Sequence, residues 1–111
     1  MRNRLVVIPL VILLASLLPA QPVQAQANLT WDANGAAAGT GGSGTWDTSS
    51  SIWFISPVFQ VWNNVTFDNA TFAGTAGTVT VGTPVNVHNI TFGTTGYTVT
   101  GSSITLGGTT P

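Results

Sequence analysis

The sequence predicts an all-β chain of short stacked repeats, placed behind an N-terminal export signal. Apolar residues and Thr alternate in brief runs, Gly-rich breaks separate those runs, and a basic-then-apolar opening differs from everything after it. A length of 111 residues allows one domain at most.

The opening is read first. Arg2 and Arg4 form a basic start, residues 5–18 carry no charge, and residues 19–27 are polar with small side chains. That is the three-part plan of a secretory signal. The apolar run falls short of the roughly 20 residues a helix needs to cross a bilayer, so a membrane anchor is the weaker reading. No Cys follows it, which excludes a lipoprotein signal. Cleavage after Ala25 would release Gln26, and cleavage after Ala27 would release Asn28. Ala25-Gln26-Ala27 is the stricter small-x-small match, so the expected division is a leader over 1–27 and a mature segment over 28–111.

Both basic residues leave with the leader. From Asn28 onward the formal charges are Asp32, Asp47 and Asp68, accompanied by the single His88. A segment without Lys or Arg has no basic footprint for nucleic acid and none for anionic lipid. No nucleic-acid partner and no membrane insertion of the mature segment are expected. The chain has no Cys, so it is not one of the disulfide-stapled small exported domains. Its stability must come from stacked β structure or from neighbouring sequence.

The strands follow from alternation, because successive side chains of a strand point to opposite faces. Val65 and Phe67 alternate with Thr66 and Asp68. Val79 and Val81 alternate with Thr78 and Thr80, and Val85 with Val87 continues the same phase. Ile90 and Phe92, then Tyr97 and Val99, then Ile104 and Leu106 each restart it. Every run offers one apolar and one Thr-rich face, and β-branched Thr suits extended backbone. A continuous strand cannot change its buried face, so the phase shifts mark corners at 88–89, 93–96 and 101–103. Gly77 and Gly82-Thr83-Pro84 punctuate in the same way. Asn34-Gly35 is a two-residue turn signal, and the Ala, Gly, Ser and Thr of 36–44 read as a flexible loop or extended turn.

Short pieces recur. Leu29-Thr30-Trp31-Asp32 returns as Gly44-Thr45-Trp46-Asp47, and Val65-Thr66-Phe67, Ala70-Thr71-Phe72 and Ile90-Thr91-Phe92 share a theme. Units too small to bury a face alone suggest a solenoid. In this order, and closing with Gly77-Thr78-Val79-Thr80-Val81, Gly96-Tyr97-Thr98-Val99-Thr100-Gly101 and Ile104-Thr105-Leu106, they resemble the autotransporter-associated β-strand repeat of type V secreted passenger domains. The resemblance spans almost the whole mature segment. Residues 52–62 depart from it, being more apolar than the polar spacer such repeats carry. The resemblance implies a right-handed parallel β-helix, a Gram-negative envelope and a C-terminal outer-membrane barrel. No barrel strands are present up to Pro111, so the chain looks like the N-terminal portion of a passenger, incomplete at its C-terminus, with downstream passenger and translocator as its partners.

Candidate sites are few. A glycosidase needs two carboxylates facing a sugar, whereas Asp32 and Asp47 occupy equivalent repeat positions after Trp, where an Asp caps a turn. Residues 41–47 approach the calcium-binding nonapeptide, but Trp46 stands where its Asp belongs, and calcium wants several carboxylates. His88 has no second ligand or triad partner nearby in sequence and is placed at a solvent-facing corner. Trp31, Trp46, Trp53 and Trp62 either fill and cap the first coils or, if exposed, stack on sugars. Four Asn-x-Thr matches, at Asn28, Asn64, Asn69 and Asn89, arise cheaply in a Thr-rich chain.

No catalytic, cofactor-binding or metal-binding residue is therefore expected, and no cofactor. The reading is a non-enzymatic structural segment of a secreted, surface-displayed passenger; the alternative is a carbohydrate-binding solenoid module using exposed Trp. Its uncovered C-terminal edge, short of charge, is expected to self-associate.

Overall fold

Strands of three or four residues are what runs of this length between glycines can form. The computed structural model describes residues 26–108, so the expected leader lies outside the described residues except for Gln26 and Ala27. The strands are β1 (Asn28–Trp31), β2 (Gly44–Trp46), β3 (Trp53–Ile55), β4 (Val58–Gln60), β5 (Asn69–Phe72), β6 (Thr78–Val81), β7 (Val85–Val87), β8 (Ile90–Phe92), β9 (Thr98–Gly101) and β10 (Ile104–Leu106). The fold is all-β, and no helix among the described residues is long and apolar enough to cross a membrane.

Three parallel ladders organise these strands. β1, β5 and β8 lie side by side, with Leu29 opposite Ala70 and Ala70 opposite Ile90. β2, β6 and β9 form a second ladder, with Thr45 opposite Thr80 and Thr80 opposite Thr100. β7 and β10 form a third, with Val85 opposite Ile104. The offset from β5 to β8 equals that from β6 to β9, and the third ladder is one residue shorter. Residues 69–87 and 90–106 are thus successive layers of one repeating path. The expected corners at 88–89 and 93–96 fall between strands, and the one expected at 101–103 begins on the last residue of β9.

The expected right-handed parallel β-helix needs a correction at its first layer. β1 pairs antiparallel with β3, and β3 pairs antiparallel with β4, so the first sheet is mixed, in the order β4-β3-β1-β5-β8. None of the three sheets closes on another. The apolar stretch 52–62 is the cause. The turn at Ser56-Pro57 reverses the chain, and the hairpin pairs Thr30 with Phe54 on the edge of β1 that a preceding layer would otherwise use. On the third face, residues 62–64 run against β7 without forming a strand. The Asn64 side chain supplies a strand's hydrogen bonds there, accepting from Asn86 N at 2.8 Å and donating to Pro84 O at 3.0 Å.

The alternation at 65–68 is also corrected. Residues 64–67 are a turn, Val65 is 85% exposed, and Phe67 sits at φ 49°, a left-handed conformation uncommon for any residue but Gly. Gly107 and Gly108 accommodate it, since a side chain on Gly108 would stand 2.8 Å from the Phe67 Cβ.

The core is aromatic at one end and aliphatic beyond it. Trp31, Trp46, Trp53, Trp62 and Phe72 are buried together with Leu29, Ala70, Val79, Val81, Val85 and Val87. Trp53 lies with its ring centroid 5.3 Å from Trp31, 5.0 Å from Trp46 and 4.7 Å from Trp62. Phe72 continues the column, stacking on Phe92 at 5.3 Å.

Candidate functional site

Asp32 follows β1 at a tight corner. It is fully buried, and its Oδ1 accepts the Thr40 backbone N–H at 3.2 Å and the Thr40 hydroxyl. Its Oδ2 has no partner among the described residues. Gly41 bridges Asp32 on one side and Thr75 on the other, at φ 63°. A side chain at Gly41 would collide with the Ala73 carbonyl and the Tyr97 hydroxyl, so only Gly lets the layers meet here. Tyr97 closes the corner by donating its hydroxyl to Ala73 O at 2.6 Å. Burial raises the Tyr97 phenol above its usual value, the Gly42 N–H acts against this, and the charge of Asp32 adds to the rise.

Asp47 occupies the same place after β2 but lies near the surface. It accepts the N–H groups of Ser49 and Ser50, at 3.1 and 2.8 Å, and the Ser50 hydroxyl at 3.0 Å. Partial burial pushes this carboxyl up, but the donors of Ser50 and Ser49 outweigh it and hold it below its ordinary value. Both repeat-related Asp residues thus bind turn backbone, as their position after Trp implies. Asp68 is buried and holds Ala27 N at 3.0 Å and the Thr66 hydroxyl at 2.8 Å.

His88 is at the predicted corner, yet only half-exposed. Its Nδ1 lies 2.9 Å from the Gly107 carbonyl, and its backbone N–H donates to Asp68 O. In the stretch that approaches a calcium nonapeptide, several oxygens are engaged within the fold. Gly42 O accepts the Trp31 indole N–H at 2.8 Å, and the Asp47 carboxylate serves Ser49 and Ser50. No group of three or more metal-binding side chains forms among the described residues.

The exposed-Trp reading is corrected outright. Trp31, Trp46 and Trp53 are 0% exposed and Trp62 is 1%. No indole face is free for a sugar. Trp62 is fastened by its N–H to Asn86 O at 3.0 Å, and the rings make a wall against one another.

What the surface does offer is regular. Thr45, Thr80 and Thr100 stand in register across β2, β6 and β9, with Thr78 opposite Thr98 beside them, and all five are exposed. Sequence reasoning found this face through alternation. It did not find Thr40, Asn64 or the hydroxyl of Tyr97 as fasteners. Only the Gly on either side of the 97–100 run signalled that Tyr97 meets a corner.

No family model matches the chain, and no solved structure matches it. Among curated proteins it is 51% identical over 86 residues to "Adhesin BmaC autotransporter" of Brucella suis biovar 1 (strain 1330). That match covers 73% of this chain and 2% of the relative. The chain is autotransporter-related, and it spans a small fraction of the relative's length.

Proposed function

We propose that this chain is a structural, β-helical segment of a surface-displayed autotransporter passenger. The observation that carries the reading is the identity to the autotransporter adhesin. The repeating path of β5–β6–β7 and β8–β9–β10 supports it, because layers of nearly constant length stack into a stalk. The hairpin β3–β4 and the Trp cluster form the beginning of that stalk, and further passenger and an outer-membrane translocator are its partners. The segment is exported, with the leader removed, and reaches the cell surface through the outer membrane.

The segment has no hydrolytic or lytic activity of its own in this reading. Asp32 and Asp68 are buried and committed to backbone, and Asp47 caps a turn. The mature segment also lacks any Lys or Arg to take a proton from a sugar.

An epitope placed at Ala37-Ala38, in an exposed turn, tests the location in cells carrying the full reading frame. Antibody labelling of intact cells is the expected outcome. Labelling that appears only after the outer membrane is permeabilised would overturn the proposal.

A further inference from the structure

Of all the Asn residues, Asn34 alone is followed by Gly. The others precede Arg, Leu, Asn, Val, Ala or Ile, whose side chains crowd the next backbone nitrogen. The fold requires the Asn-Gly pair. It closes the turn that begins at Asp32, with the Gly35 N–H donating to Asp32 O at 2.9 Å. Gly35 sits at φ 62°, and a side chain there would stand 2.9 Å from the Ser51 carbonyl, so a larger residue is strained on both counts. The Asn34 side chain is exposed and turns forward over the loop. Its Oδ1 accepts the Ala36 N–H at 2.9 Å and the Ala37 N–H at 3.1 Å. Asp32, held to Thr40, pins the loop from its other side.

We propose that Asn34 is a self-modification site, where the folded chain converts its own side-chain amide to an acid through a cyclic imide with Gly35. Two backbone donors aimed at one carbonyl oxygen draw electrons from its carbon, and they stabilise the negative charge that the oxygen gains under attack. Gly35 supplies the unhindered nucleophile. Its nitrogen gives its proton to solvent hydroxide and bonds to Asn34 Cγ. The Cγ–Nδ2 bond then breaks, and ammonia leaves with a proton taken from water. Water next adds to one of the two imide carbonyls and opens the ring, to an aspartate or to an isoaspartate at position 34. The aspartate keeps an oxygen for the Ala36 and Ala37 N–H groups. The isoaspartate lengthens the main chain by a carbon in a turn that Asp32 and Thr40 hold closed, and so loosens that corner. This inference stands independently of the passenger reading.

Peptide mapping tests it. Cleavage after Trp31 and Trp46 isolates residues 32–46, in which Asn34 is the only Asn. The exported protein is aged at mildly alkaline pH, either folded or in urea, and then digested and weighed. In the folded protein this peptide should exchange its amide for an acid at least as fast as in urea, because only the fold holds both N–H groups on Oδ1. Part of the product should accept methyl groups from an isoaspartyl methyltransferase. Peptides carrying Asn63, Asn64 and Asn89 should keep their amides over the same time. Asn34→Ser retains a turn-capping oxygen and should abolish the methyl acceptance, with circular dichroism melting to show that the variant is folded. An unchanged 32–46 peptide, faster conversion in urea than in the folded protein, or equal conversion at Asn64 and Asn89 would each overturn the proposal.

Discussion

The Trp-filled first layer and the last layer, lined by Ile90, Phe92, Tyr97, Val99, Ile104 and Leu106, share the same strand ladders, yet they are covered very differently. In the first, four indoles lie within contact of one another beneath a hairpin. In the last, the strand order is intact but every apolar side chain keeps part of its surface in water. Hydrophobic stabilisation scales with area removed from water. The first layer therefore anchors the fold, and the last depends on what is set against it. A repeat becomes stable through its neighbours, not through its own sequence.

The sharpest way to break this comparison is to remove one ring from each end. Trp53→Ala should cost about 3–5 kcal/mol, because Trp53 touches Trp31, Trp46, Trp62 and Phe72. Phe92→Ala should cost only about 1 kcal/mol, since half its surface is already exposed. Chemical denaturation of both variants measures the difference. Equal losses would mean that the last layer is as well anchored as the first.

The corner between layers should respond next. Asp32→Ala frees the Thr40 N–H and hydroxyl from their acceptor and should cost about 1–3 kcal/mol. Tyr97→Phe removes one donor from Ala73 O and should cost about 1 kcal/mol. Thermal melting orders the two, and a larger loss at Tyr97 would reverse the reading of the corner.

The smallest effect is a pH dependence. The folded Asp47 carboxyl lies below its ordinary 3.8, so its contribution is present above that value and fades as pH falls through the lower, folded value. Asp47→Asn should flatten the acid limb of the melting curve without altering it near neutrality. An unchanged acid limb would show that Ser49 and Ser50 do not hold this carboxylate in solution.

Export bears on the first layer as well. Ala27 N is held by Asp68, and Ala27 O accepts the Asn69 N–H at 2.8 Å. Cleavage after Ala27 would remove both bonds, whereas cleavage after Ala25 keeps them. The small-x-small rule favours Asn28 as the new terminus, but the fold favours Gln26. Intact-mass measurement of the exported product should find Gln26 first. A terminus at Asn28 would show that the layer forms without Ala27.

Alternation is a local property, and the sequence alone determined what depends on it. The phase changes at 88–89, 93–96 and 101–103 mark real corners, and the Val79, Val81, Val85 and Val87 series is the buried one. The turn-capping role of Asp47 was legible too, because an Asp just after a strand reaches the next few N–H groups, whereas the partner of Asp32, Thr40, lies eight residues on and was not. Pairing is not local. Val65, Thr66 and Phe67 alternate as well as any strand, but they form a turn because Asn63 and Asp68 bind their backbone N–H and hydroxyl groups. Residues 52–62 carried an apolar signal with no direction in it. Only the tertiary structure decided that they fold back antiparallel over β1, where the free edge and the indoles of the first layer needed a cover.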